Sequence, residues 1–148
     1  MIYTPKTKQA MKLCYEAHRG QVDKSGVPYV FHPMHVAEQM TGETETVVAL
    51  LHDVVEDTSY TLDDIRELGF GEDVVGALSL LTHRKDEPYL EYAARIKNDP
   101  VARAVKLADL RHNSDLTRLD VVDDWALARV RKYAAAIRLL TDETGVTE

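Results

Sequence analysis

The sequence predicts an all-α protein, a compact multi-helix fold, on three observations. Apolar residues recur at helical spacing almost throughout. No run alternates polar and apolar residues for long enough to build a sheet. Several prolines and glycines fall where helices would start or stop. At 148 residues the chain suits one domain over 1–148, burying roughly two thirds of its unfolded surface in a single core.

Taken in order, the first helix is expected over Pro5 to His18, opened by proline and stopped at Gly20. GQVDKSGVPYVF, Gly20 to Phe31, reads as a loop built on Gly26 and Pro28. A second helix is expected from Pro33 to near Gly42, and a third from Glu43 to Glu56. Two shorter helices follow, TLDDIREL from Thr61, with Thr61 and Asp64 placed as a capping box, and EDVVGALSLLTH from Glu72. After the polar HRKDE come a helix near Tyr89 to Lys97, one opened by Pro100, and a long one from about Asp123 to Leu140. That last helix is amphipathic, and Trp125, Val130 and Ile137 are expected to pack on the core. Thr141 to Glu148 is expected to fray.

The net charge of −7 sets a global field that repels nucleic acid and anionic membranes, so a polyanionic ligand requires a local basic pocket. No apolar run approaches the roughly 20 residues that span a bilayer, and the N-terminus lacks the apolar core of a secretory signal. The single cysteine, Cys14, cannot close an intrachain disulfide and reads as a small buried hydrophobe in a cytoplasmic, reducing setting.

The informative stretch is LLHDVVEDT, Leu50 to Thr58, where a hydrocarbon run meets four ionisable groups. A helix turns about 100° per residue, so on a continuous helix His52, Asp53, Glu56 and Asp57 share one arc, while valines and leucines fill the rest of the circumference. Three carboxylates at the edge of a buried helix must find a cation or take up protons. A divalent metal meets that need; a solvated helix end with a salt bridge is the plain alternative, so further ligands have to be found elsewhere. His32, just before Pro33, is rigidly placed. Asp109, in VKLADLRHN, shares a polar stripe with Lys106 and Asn113 on a helix otherwise apolar, although a Lys106–Asp109 ion pair alone would account for part of it. His35, His18 and His112 read as partly exposed surface histidines. Two imidazoles and two carboxylates form a mixed nitrogen and oxygen set suited to Mn²⁺, Fe²⁺ or Zn²⁺.

The order His32, His52-Asp53, Asp109 resembles the signature of HD-domain metal phosphohydrolases. More closely, GQVDKSGVPYVFHPMHVAE, ALLHDVVEDT and VKLADLRHN resemble the hydrolase domain of RelA/SpoT-type alarmone enzymes and their single-domain relatives over about Gly20 to Asn113. The resemblance implies an all-α fold with a metal site between helices, and removal of the 3′-pyrophosphate from (p)ppGpp with Mn²⁺. It makes His32, His52, Asp53 and Asp109 the metal ligands and Glu56 and Asp57 the catalytic pair. Lys24, Ser25 and Asn113 match substrate-binding positions. Two positions depart from the pattern: Asp23 stands where an arginine that packs on the guanine base is usual, and Leu116 where a substrate-facing threonine is usual.

A divalent ion brings the pKa of water from about 15.7 towards about 7 and polarises a phosphorus. Glu56 and Asp57 lie one helical turn beyond His52 and Asp53, a spacing that suits proton transfer; capping of the following turn is the other role open to them. His83-Arg84-Lys85 reads as a solvated loop, and Lys24 as a phosphate contact. Two other readings stand beside the alarmone hydrolase. One is an HD phosphohydrolase releasing orthophosphate from another nucleotide, the other a non-catalytic nucleotide-binding domain.

Overall fold

The computed structural model of the chain describes residues 1–142. Among these, nine α-helices carry the fold: α1 Pro5–Ala17, α2 Phe31–Glu38, α3 Glu43–Leu51, α4 Val54–Asp57, α5 Leu62–Glu67, α6 Glu72–Leu81, α7 Tyr89–Ile96, α8 Pro100–Asn113 and α9 Asp124–Thr141. A 3₁₀ turn at Leu116–Arg118, which no apolar periodicity announces, joins the last two. The only extended pairing among the described residues is an isolated bridge between Val22 and Pro28, so the all-α expectation holds. Of the end expected to fray, Thr141 closes α9, and residues 143–148 lie outside the described residues.

Helix starts follow local capping chemistry. The Thr61 hydroxyl accepts from Asp64 N–H at 3.1 Å, and the Asp64 carboxylate accepts from Thr61 N–H at 2.9 Å, the capping box expected there. Asp99 and Asp123 cap α8 and α9 through the amides of Ala102 and Ala126. Glu45 reaches back to the amides of Thr41 and Gly42, so Gly42 opens α3 rather than closing α2. The second helix in turn begins two residues earlier than expected, at Phe31, and ends at Glu38. Pro33 still sits in the first turn, where its missing N–H leaves no acceptor unsatisfied.

α3 is the centre of the molecule. Thr46, Val47, Val48, Ala49, Leu50 and Leu51 are all buried, because α1, α2, α6 and α8 contact α3 from different sides. A helix apolar all round can only be placed this way. α9 closes the far side against α7 and α8, burying Ala126, Tyr133, Ala136 and Leu140, with Ile137 partly buried against the core. Trp125 does not join them. It is 49% exposed, although Ala126 beside it is buried; Val130 is half-buried and, with Trp125, lines a cavity instead.

The expected third helix is two. It stops at Leu51, passes through His52 and Asp53, and resumes as the single turn α4. Both linking residues keep right-handed dihedrals, His52 at φ −60°, ψ −29° and Asp53 at φ −102°, ψ −2°, so the break is a small re-aiming of the chain and not a reversal. Leu50→Ala, at the centre of α3, is expected to cost about 2–5 kcal/mol, the usual range for a buried leucine. Urea unfolding should show this as a lower midpoint with an unchanged slope.

Candidate metal centre

Three segments deliver four side chains to one point. His52 and Asp53 sit where the buried run of α3 ends, so they remain deep in the molecule. His32 is the second residue of α2, and Asp109 faces inward from the middle of α8. One ligand atom from each of the four lies within 4.8 Å of all the others. His32 Nε2 is 2.9 Å from Asp109 Oδ1 and 3.8 Å from Asp53 Oδ2; His52 Nε2 is 3.1 Å from Asp53 Oδ2 and 3.4 Å from Asp109 Oδ1.

Each member has a keeper. His52 Nδ1–H donates to the Ala49 carbonyl at 2.6 Å, which leaves Nε2 buried, without a hydrogen bond and turned to the centre. The Tyr29 hydroxyl donates to Asp53 Oδ2. Lys106 Nζ holds Asp109 Oδ2 at 2.9 Å, and Asn113 Nδ2 donates to Asp109 Oδ1 at 2.9 Å. His32 Nδ1 lies 2.7 Å from His112 Nδ1. The orphaned nitrogen and the mixed donor set fit a divalent metal ion.

Electrostatics follow from the crowding. Burial opposes the charge on His52, yet Asp53 and Asp109 outweigh it and hold the ring's pKa well above the ordinary imidazole value. Burial likewise works against the Asp53 carboxylate, but His52 beside it brings that group down to about 2. For Asp109, burial is overcome first by Lys106 and then by the two imidazoles, so its carboxyl titrates well below the usual range.

Residues 10–112 match the HD domain family. The chain belongs to that family. Within it, this HD domain is 39% identical over 140 residues to the guanosine-3′,5′-bis(diphosphate) 3′-pyrophosphohydrolase MESH1 of Homo sapiens, covering 84% of this chain and 76% of that protein. It is 36% identical over 121 residues to the bifunctional (p)ppGpp synthase/hydrolase SpoT of Escherichia coli (strain K12), covering 72% of this chain and 17% of that protein. A solved structure described as "A metazoan ortholog of SpoT hydrolyzes ppGpp and plays a role in starvation responses" superposes with a TM-score of 0.79 at 28% identity, covering 95% of this chain and 88% of that one.

The acidic pair of the HD domain occupies α4. The Glu56 carboxylate accepts the backbone N–H of His83, while the Asp57 carboxylate makes no hydrogen bond among the described residues. Burial, first, and then the surrounding carboxylates push both pKa values above the ordinary range. Neither side chain caps the following turn. Thr58 does so, accepting from Tyr60 N–H at 3.2 Å, and Thr61 with Asp64 opens the next helix. The 83–86 loop is exposed, as expected of HRKDE, yet one of its amides fixes Glu56.

Loop Gly20 to Phe31 is tied down from within. Asp23 Oδ1 accepts from Ser25 N–H and Val27 N–H at 2.8 and 3.0 Å, with Gly26 at φ +80° making the turn possible. The Ser25 hydroxyl donates to the Arg118 carbonyl at 2.8 Å and accepts from Asp120 N–H at 3.2 Å, so it fastens this loop to the 3₁₀ turn. Lys24 stays exposed and places Nζ 3.1 Å above the centre of the Trp125 ring.

Lys24, Asn113, Arg118, Trp125 and Arg129 line a cavity of about 280 Å³ that also includes Tyr29, the residue bonded to Asp53. Arg129 Cζ also lies over the Trp125 ring, 4.5 Å from its centre, and the guanidinium donates to the Tyr133 hydroxyl. Lys132, outside the cavity lining, lies over the Tyr89 ring at 4.5 Å, and burial first, then Arg129 and Lys106, lower its pKa.

Sequence reasoning missed Tyr29, Arg118 and Arg129 and treated His18 and His112 as surface residues. His18 is buried, its ring packed at a 54° tilt against Tyr29 and its Nδ1 2.9 Å from Gln21 Oε1. His112 is half-buried against His32, whereas His35 is exposed as expected. The spacing Trp125, Arg129, Tyr133, one line along a helix face, was the available signal for the basic wall; nothing local announces Arg118.

His52 gains its charged form on folding. The stability it contributes is full below the ordinary value of about 6.5 and is lost as pH rises through its raised value. A bound divalent ion needs that ring neutral. The increase in Tm given by Mn²⁺ over EDTA is therefore expected to be larger at about pH 9 than at about pH 6. Melting curves in both conditions test this, and an increment that shrinks with pH contradicts it.

Proposed function

We propose that this chain is a metal-dependent hydrolase that removes the 3′-pyrophosphate from guanosine alarmones, giving GDP or GTP and pyrophosphate. We assign it one domain over 1–148, Mn²⁺ as the ion and a cytoplasmic setting. A single observation carries the reading: in a chain of net charge −7, the four convergent side chains are joined, through Tyr29 on Asp53 and Asn113 on Asp109, to a cavity whose lining sets Lys24, Arg118 and Arg129 against Asp23 and Asp115. A nucleotide bearing diphosphates matches that chemistry. The activities named for the human and Escherichia coli relatives point the same way.

In this assignment His32, His52, Asp53 and Asp109 hold the ion, which when bound supplies a Lewis acid and a water of lowered pKa. Glu56 and Asp57 take the proton of the attacking water. Their raised pKa values bring them closer to neutrality than ordinary carboxylates, where a general base works best. The His83 amide keeps Glu56 from rotating away. Lys24, Arg118 and Arg129 balance the charge of the phosphates and of the departing pyrophosphate. Asn113 steadies Asp109 and Arg118 and borders the cavity, so it links ligand and substrate; Ser25 acts through the loop it fastens.

Incubation of the purified chain with Mn²⁺ and a panel of ppGpp, GTP, 3′-nucleotides and 5′-nucleotides is expected to release pyrophosphate from ppGpp. Orthophosphate from a different nucleotide would instead make it a phosphomonoesterase of the same family, and turnover of none would leave a binding domain. His52→Ala, Asp53→Ala and Asp109→Ala should lose bound metal and activity together. Glu56→Gln should keep the metal and lose about 10²-fold or more in turnover, the scale of general acid–base catalysis.

A further inference from the structure

His112 stands outside the ligand set, yet its ring is locked to it. Its Nδ1 lies 2.7 Å from His32 Nδ1, the two rings are parallel within 3°, and their centroids are 5.0 Å apart. His32 thus meets the edge of His112, and His35 stacks on a face of it at 3.9 Å and 17°. The His112 carbonyl accepts from Arg118 Nη1 at 3.0 Å, which ties the same residue to the 3₁₀ turn.

A neutral imidazole has one N–H and one lone pair. His32 can offer Nε2 to a metal only with its proton on Nδ1. His32 is 2% exposed, so solvent cannot be relied on to accept that proton, and a buried N–H without an acceptor is costly. For His52 the corresponding acceptor is the Ala49 carbonyl, which can only accept. For His32 it is a ring nitrogen, which accepts only while it carries no proton of its own. Stacked nearly parallel, His35 and His112 cannot both bring a ring nitrogen in plane to one ion, so the stack is not a second metal site.

We infer that His112 is a positioning residue for the metal centre: its Nδ1 accepts the Nδ1–H of His32, fixing the tautomer in which His32 Nε2 faces Asp109 and Asp53. The inference rests on the four-ligand reading proposed above. Asparagine can place an amide oxygen close to where histidine Nδ1 stands, whereas leucine fills the space with no acceptor.

The test is titration of Mn²⁺ into the metal-stripped full chain, its His112→Leu and its His112→Asn variants, with folding checked by thermal melting. Loss of the acceptor is expected to weaken Mn²⁺ binding about 10- to 100-fold in His112→Leu, while His112→Asn stays within about threefold of the unsubstituted chain. Turnover of His112→Leu should recover at saturating Mn²⁺, which a general structural defect would not do. Equal Mn²⁺ affinity in the unsubstituted chain and His112→Leu overturns the inference while leaving the metal reading intact. An unsubstituted chain that binds no divalent ion overturns the metal reading itself. Should His112→Leu fail to fold, ¹⁵N spectra of the unsubstituted Zn²⁺-loaded chain decide: a proton on His32 Nδ1 supports the inference, and one on Nε2 overturns it.

Discussion

Two aspartates and two imidazoles share one buried point, and the cost of placing carboxylates there organises much of the molecule. A buried charge without a partner costs several kcal/mol. Asp109 meets that cost through Lys106, Asn113 and His32, and Asp53 through His52 and the Tyr29 hydroxyl. Each partner comes from an element with its own reason to be present. Lys106 and Asn113 follow from the geometry of α8, Tyr29 from the loop before α2, and His52 from the end of α3. The apolar circumference of α3 draws that helix into the middle of the fold, and the depth of His52 and Asp53 is a consequence. Hydrophobic burial thus sets the location of the polar site.

The second constraint is charge. A field set by 25 acids against 18 Lys and Arg does not favour a polyanion, and the four-ligand centre alone does not change that. The compensation is local and comes from sequence-distant residues: Lys24 on the first loop, Arg118 on the 3₁₀ turn and Arg129 on α9. Low-dielectric walls focus the potential of such a group, so a few cations can act against a larger total of opposite sign. α9 therefore lines that cavity as well as covering the core. Its face divides between Tyr133, Ala136 and Leu140, which are buried, and Trp125 and Arg129, which face the cavity.

Much of the fold was legible because helix ends obey short-range chemistry. Pro5, Thr61 with Asp64, Asp99 before Pro100, and Asp123 each mark a start that the structure keeps. The misread boundaries lie where an interaction across the boundary decides: Glu45 claims Gly42 for α3, and the chain re-aims at His52 and Asp53 to bring both side chains to the centre. For the candidate site, the convergent side chains on buried helices were legible because an ionisable residue among apolar ones is conspicuous. Tyr29 and Arg118 were not, since neither tyrosine nor arginine is unusual in a loop or a turn. His112 was visible in RHN, but its role depends on α2 lying against α8, which no local pattern specifies.

Asp23 shows how binding and folding can share one side chain. The resemblance to alarmone hydrolases implies an arginine, packed on the base, at its position. In this chain its carboxylate instead closes the loop through the Ser25 and Val27 amides and leaves Oδ2 3.9 Å from Arg118. An arginine there could not accept those two amides, so the loop would have to be held in another way. Arg118, beside Asp23, borders the same cavity and brings positive charge to it. In this chain the cation at this edge comes from the 3₁₀ turn. Exchanging residue 23 alone would then alter loop shape, the Arg118 pairing and the cavity together.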